Sequence, residues 1–228
     1  MSQHTSTTTP STSSTSARAA AGRRGHRTAL AQRPLLAWRT IDLMTAAMVG
    51  VTMGVVFWGW NFFYAFASPA FTATAAPFVG LLGGTWLLAG VLGGLIVRRP
   101  GAALFAEMLA AAVSALLGNE WGWTTLYSGV LQGFGAELIL LLFLYKRFSL
   151  VVAVLAGMMA AAVEMTYEWN IYWAGFDTAW KLVYLGAFMF SGAVIAGGGG
   201  WLLTRALART GAIDAMPPAQ ELHESRAV

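Results

Sequence analysis

The sequence predicts an all-α membrane protein: six transmembrane helices with both termini in the cytoplasm. Three observations carry this. Of 228 residues, 57% are hydrophobic and only 11% are charged, whereas a soluble domain carries about 25% charged residues. The charges gather at the ends and in short clusters, and the long stretches between them exceed the roughly 18 apolar residues that a bilayer crossing needs. Third, lysine and arginine are distributed with one sign of asymmetry along the alternating loops, which sets the topology.

Taken in order, residues 1–16 contain twelve serines and threonines, and residues 17–33 add five arginines. Such a segment buries too little apolar surface to offset chain entropy, so residues 1–37 are expected to form a disordered cytoplasmic head. The basic stretch leads into a full-length span rather than a short apolar core with a cleavage site, so it does not read as a signal peptide. The six spans are expected at Leu43–Phe63, Pro77–Val97, Ala102–Gly118 (the short one), Thr124–Leu144, Leu150–Tyr172 and Trp180–Thr204. Residues 38–204 thus form the transmembrane domain. Residues 205–228 read as a polar cytoplasmic tail in which Pro217 and Pro218 end any helix. Six basic residues precede the first span, Arg98 and Arg99 separate spans two and three, and Lys146 and Arg147 separate spans four and five. Arg205, Arg209 and Arg226 follow the sixth, and only Lys181 lies on the other side. The positive-inside rule then places both termini in the cytoplasm.

Several chemistries are excluded. There is no cysteine, so disulfides, thiolate metal sites and cysteine nucleophiles are absent. His4, His26 and His223 all lie in the polar ends, which rules out an intramembrane histidine relay or metal site. No phosphate loop, G-x-S-x-G or H-E-x-x-H motif occurs, so the chain carries no ATPase of its own. The basic balance follows the span ends, which is topology-setting charge rather than a nucleic-acid surface.

The expected outer ends carry the informative residues. Seven of the ten tryptophans lie there, Trp58, Trp60, Trp121, Trp123, Trp169, Trp173 and Trp180, with Tyr64, Tyr127, Tyr167, Tyr172 and Tyr184. An interfacial aromatic belt is one reading. A belt should occupy both faces, yet only Trp38 and Trp201 lie near the inner one, which favours a cavity walled by some of the rings. Glu120 lies in the loop Asn119-Glu120-Trp121-Gly122-Trp123. Glu164 and Glu168 share a helix face with Tyr172 one turn on. Glu164 sits roughly 12 Å below the end of its span, where a carboxylate facing lipid costs at least about 2.5–3 kcal/mol. It should therefore face the bundle or a wet cavity. Asn61, Asn119, Gln132 and Asn170 add neutral donors and acceptors. The set Trp58, Asn61, Tyr64, Asn119, Glu120, Trp121, Trp123, Tyr127, Gln132, Glu164, Tyr167, Glu168 and Tyr172 suits a flat, polar, cationic organic ligand. The alternative is that Glu164 and Glu168 only satisfy neighbouring helices. Glu107 and Glu137, in the inner half, read as structural, one of them protonated or paired with Arg98 or Arg99. Ala46, Gly50 and Gly54 form a small-residue stripe that lets another helix approach closely, inside the bundle or from a partner. A small oligomeric channel or proton-coupled carrier using Glu107, Glu137, Glu164 and Glu168 is the second functional reading.

An ordered set of segments resembles a known family. It comprises Trp38-Arg39-Thr40-Ile41-Asp42, Phe57-Trp58-Gly59-Trp60-Asn61, Arg98-Arg99-Pro100-Gly101-Ala102-Ala103 leading to Glu107, and Leu117-Gly118-Asn119-Glu120-Trp121-Gly122. Gln132-Gly133-Phe134-Gly135-Ala136-Glu137-Leu138, Trp180-Lys181-Leu182 and Ala208-Arg209-Thr210-Gly211 complete it. Together they resemble the YkoE family of substrate-binding S components of energy-coupling factor (ECF) transporters, over about residues 38–218. The resemblance implies an S-component-like bundle in the bacterial cell membrane, taking up thiamine or its hydroxymethylpyrimidine precursor. It implies no cofactor of the chain's own, with ATP used by separate ATP-binding cassette subunits beside a transmembrane T component. It further implies that the stripe Ala46, Gly50 and Gly54 docks onto that T component.

Overall fold

The computed structural model describes residues 36–226, and the head expected over residues 1–37 falls, but for its last two residues, outside them. Among the described residues every regular element is helical. Helix α1 is Thr40–Thr74, and α2 is a 3-10 stretch, Ala76–Leu87, continued by the α-helix Leu88–Val97. Helix α3 is Ala102–Leu116, α4 is Thr125–Leu142 and α5 is Leu150–Ile171. Helix α6 runs as Thr178–Ser191, a π-helical stretch Gly192–Gly199, and Gly200–Thr210; α7 is Pro217–Arg226. Five of these, α1, α2, α4 with its leading turn, α5 and α6, are long and apolar enough to cross a membrane, and α3 is a shorter apolar helix.

Two ends can be told apart by their contacts. At the arginine end, Arg39 and Arg99 both pair with Asp42, at 2.6 and 3.6 Å. The Trp38 indole N–H donates to the Pro100 carbonyl at 3.2 Å, fastening the start of α1 to the α2–α3 turn. At the opposite, aromatic end, Tyr64 of α1 packs on Trp121 of the α3–α4 connection, centroids 5.6 Å apart.

Helix α2 is the centre of the bundle: 78% of its span is buried, against 33–44% for the other four. Its glycines make this possible. A Cβ on Gly80 would stand 2.8 Å from the Tyr184 carbonyl oxygen of α6, so only a bare backbone can approach so closely. One turn on, the Gly84 N–H donates to the Ser191 hydroxyl at 2.9 Å, and that hydroxyl donates to the Leu81 carbonyl at 2.6 Å. The serine thus ties α6 to the 3-10 stretch, whose hydrogen bonds are intrinsically poorer than those of an α-helix. The π-helical stretch follows directly and places Gly192 and Gly197 against the backbone of α5 around Gly157 and Val154.

Three expectations are corrected. Helix α1 runs past Phe63 to Thr74, and α6 past Thr204 to Thr210. Pro217 begins a helix rather than ending one, as suits a residue with no N–H at a first-turn position. Its turn buries Ile213, Met216 and Ala219 against Ala46, Ile96, Val97 and Ala102. Finally, the stripe Ala46, Gly50 and Gly54 is occupied by α3. Ala46 is fully buried, and a Cβ on Gly50 would stand 2.9 Å from both the Ala106 carbonyl oxygen and Leu109 Cβ. On Gly54 it would stand 2.8 Å from the Ala110 carbonyl oxygen. This close approach is internal packing, so the stripe presents no surface to a separate T component.

Candidate ligand-binding cavity

A cavity of about 390 Å³ lies in the aromatic half of the bundle, and each of helices α1 to α6 contributes to it. The residues recur at helical spacing: Phe57, Asn61 and Tyr64 on α1, Glu107, Ala111 and Ser114 on α3, and Thr125, Ser128 and Gln132 on α4. Helix α5 adds Glu164 and Glu168, the residues directly after it add Tyr172 and Trp173, and α6 adds Tyr184 and Phe188. Steps of three and four put each set on one helix face. Helix α2 supplies Val79, Gly83 and Trp86, and the α3–α4 connection supplies Asn119, Glu120 and Trp121.

One wall is a neutral hydrogen-bonded chain. The Trp86 indole N–H donates to Asn61 Oδ1 at 3.0 Å, and Asn61 Nδ2 donates to the Ser114 hydroxyl at 3.4 Å. Asn119 Nδ2 also donates to Ser114, at 3.2 Å, and to Thr125 Oγ1, at 2.9 Å. This chain holds Trp86 edge-on to Tyr64 and Trp121, with centroids 5.0 and 5.3 Å away. The opposite wall centres on Glu168, whose Oε2 accepts from the Tyr184 hydroxyl at 2.6 Å and from the Trp173 indole N–H at 3.2 Å. Trp173 packs on Tyr184 with centroids 4.9 Å apart.

Between the walls stand Glu107 and Glu164, each 1% exposed. Glu107 Oε2 accepts the Gly90 N–H at 2.5 Å, while Ser128 and Gln132 face the Glu164 carboxyl. Glu107 Oε1 and Glu164 Oε2 are buried with no hydrogen-bond partner among the described residues. An unmet buried carboxyl oxygen costs about 1–3 kcal/mol or more, so both are poised to accept from something that enters. Four carboxylates line the cavity and, among the described residues, no lysine, arginine or histidine does.

Of the thirteen residues expected from sequence, the cavity brings together nine: Asn61, Tyr64, Asn119, Glu120, Trp121, Gln132, Glu164, Glu168 and Tyr172. Four lie elsewhere. Trp58 is one residue off the α1 stripe, so it turns away and packs edge-on to Phe62 at 5.0 Å. Trp123 and Tyr127 are 63% and 67% exposed, and Tyr167 stacks on Tyr127 at 6.4 Å. The cavity also holds Trp86, Trp173, Tyr184 and Glu107, which lie outside the expected set, although Trp173 and Tyr184 belong to the outer aromatic group the sequence singles out. Trp86 lies in mid-span, away from the loops where aromatic residues stood out. Depth along its span alone gives Glu107 a structural role. Its spacing to Ala111 and Ser114 was the available signal. Neither Arg98 nor Arg99 pairs with it; they take Glu221 and Asp42. The structural reading of Glu137 agrees with its contacts: it accepts from the N–H groups of Gly101, Ala103 and Leu104 at 2.6, 3.0 and 3.3 Å. Three of the first N–H groups around α3 are thereby satisfied.

Comparisons agree with this architecture. A family described as "ABC-type cobalt transport system, permease component" matches residues 41–163. The putative HMP/thiamine permease protein YkoE of Bacillus subtilis (strain 168) is 30% identical over 191 residues, 83% of this chain and 94% of that protein. The crystal structure of an S component of an ECF transporter superposes with a TM-score of 0.78 at 29% identity, covering 84% of this chain and 96% of that one. A relative at this identity over nearly its whole length, with the same helical architecture, places the chain in the YkoE family of ECF-transporter S components: it is a multi-pass cell-membrane transport protein and not an enzyme.

Proposed function

We propose that the cavity captures thiamine or its hydroxymethylpyrimidine precursor from outside the cell, the arginine end facing the cytoplasm. The observation that carries this is the pair of buried carboxyls, Glu107 and Glu164, each with an unpartnered oxygen in a chamber walled by Trp86, Trp121, Trp173 and Tyr184. An aminopyrimidine presents N–H donors in the plane of a flat ring, so carboxyls can take the donors while indoles pack on the faces. A thiazolium adds a positive charge, which four carboxylates and several ring faces attract. The volume lies in the range of about 300–1,000 Å³ typical of small-molecule sites.

Release into the cell would be driven by a T component and ATP-binding cassette subunits, since this chain has no phosphate loop. The family description names cobalt. Among the described residues no group of three or more histidines, cysteines or acids converges as an ion site would require, and the ring-lined chamber favours an organic ligand. The test is calorimetry on the purified chain, without ATP, with thiamine and with hydroxymethylpyrimidine. Binding of either with saturable stoichiometry is expected; no heat and no tryptophan quench for both would remove this reading.

A further inference from the structure

The arginine end holds a second cavity, of about 330 Å³, which the ligand chamber does not use. It lies between the end of α2, the start of α5, the last turns of α6, and α7, which forms one of its sides. Arg98, Arg205 and Arg209 all face it. Its single carboxylate, Glu221 of α7, is engaged by Arg98, whose Nη1 and Nη2 donate to its two oxygens. Among the described residues, Arg205 and Arg209 have no carboxylate partner. The cavity thus keeps an excess of positive charge.

Two further features orient that charge. Aromatic faces carry the guanidiniums: Arg98 lies over Phe148 at 4.4 Å and Arg205 over Trp201 at 4.5 Å. A guanidinium stacked this way keeps its charge and is fixed in direction. The second feature is the start of α5. Ser149 caps the helix by accepting the Val152 N–H at 3.4 Å, and Ser149 and Leu150 line the cavity. The N–H groups of the first turn have no intrahelical partner, and the helix dipole makes this end positive. The remaining wall is apolar, formed by Leu95, Leu150 and Leu222.

We propose that this cavity is a phosphate-binding site, occupied by the phosphate of an anionic phospholipid or by a soluble phosphate compound. Both sources present the group that paired arginines and a helix N-terminus recognise. The apolar wall would take the first carbons of a lipid. Topology-setting charge requires only that arginines lie at this end. It does not require three of them to share a cavity with two aromatic shelves and a helix start.

The test uses the full chain in nanodiscs of phosphatidylcholine, with and without phosphatidylglycerol, and inorganic phosphate as the soluble probe. Native mass spectrometry reads retained lipid, and thermal melting reads phosphate. Either phosphatidylglycerol is retained in preference to phosphatidylcholine, which identifies a lipid, or inorganic phosphate raises the melting point in pure phosphatidylcholine, which identifies a soluble phosphate. Arg205→Gln with Arg209→Gln should weaken the effect about tenfold or more, the scale of a lost charge-assisted contact. Arg147→Gln removes the same charge from an exposed position outside the cavity and should leave the effect intact. Should the double variant fail to fold, Arg209→Gln alone is read instead. The proposal is overturned if neither anion acts on the wild type, or if Arg147→Gln weakens the effect as much as the cavity variants do.

Discussion

The Tyr184 hydroxyl donates to Glu168 Oε2 across 2.6 Å, joining α6 to α5 at the wall of the ligand cavity. The same oxygen takes the Trp173 indole N–H. Glu168 therefore has partners before any ligand arrives, whereas Glu107 and Glu164 each keep one buried oxygen without a partner among the described residues. Tyr184→Phe should lower stability by about 0.6–2 kcal/mol, the scale of a hydrogen bond between membrane helices. Thermal melting in detergent would check this, with thiamine affinity changing less than stability.

The buried pair makes the opposite prediction. Glu164→Gln and Glu107→Gln keep shape but remove the charge and an acceptor. Each should weaken ligand binding by about 1.5–3 kcal/mol, the worth of a hydrogen bond to a charged group. Melting of the unliganded protein should hold or rise, because a buried carboxyl without a full set of partners is costly. Calorimetry showing unchanged affinity in both variants would assign the two glutamates a purely structural role.

The α1 stripe separates packing from docking. Gly50→Leu drives a side chain into the Ala106 carbonyl and Leu109 of α3, and overpacking of this kind costs about 1–3 kcal/mol or more. Gly59, on the same helix, has nothing within 4 Å of its Cβ direction. Gly59→Leu should leave the melting point of the isolated chain unchanged. A Gly50→Leu protein as stable as wild type would mean that α3 does not occupy this face.

How much of this was legible beforehand depended on what decides each feature. Hydropathy and charge located the helices because lipid imposes length and polarity on each span separately. The acids Glu164 and Glu168 were legible because a deep carboxylate must face away from lipid. The stripe at Ala46, Gly50 and Gly54 was legible as a close-approach surface but not in its occupant, since small residues serve an internal helix and an external one equally. Trp58 and Trp86 show the same limit from the other side. Both are apolar span residues, and only the rotation of α1 and the central position of α2 decide which one meets the cavity.

At the arginine end, Tyr145 supplies a pH test outside the spans. Leu144 and Tyr145 both adopt φ of 53°, a left-handed turn that non-glycine residues adopt at a cost, and this brings the Tyr145 hydroxyl to Glu137. Burial first, and then the hydrogen bond to the Glu137 carboxylate, hold the phenol above its usual value of 10.0. The folded protein thus keeps a proton that the unfolded chain releases. Its contribution is fully present below about pH 10 and is lost as pH rises above that. Alkaline melting should show this fall in wild type and a shallower one in Tyr145→Phe.

The last prediction uses fluorescence to locate the ligand. Trp86, Trp121 and Trp173 line the cavity, while Trp123, an expected site residue, is 63% exposed and outside it. If thiamine or hydroxymethylpyrimidine occupies the cavity, quenching should come from the first three and not from Trp123. Trp123→Phe should therefore leave the absolute quench amplitude and the affinity unchanged, and raise the fractional quench slightly. Trp86→Phe removes a fluorophore and also the indole N–H that Asn61 accepts at 3.0 Å. It should reduce the quench amplitude and, by leaving Asn61 without a buried donor, lower the stability of the unliganded protein by about 1–3 kcal/mol. The two substitutions remove the same ring type from neighbouring regions of one bundle, so a difference between them reports position. A quench that survives Trp86→Phe in full but disappears with Trp123→Phe would place the ligand at the exposed aromatic rim instead, and the buried carboxyls would then need another explanation.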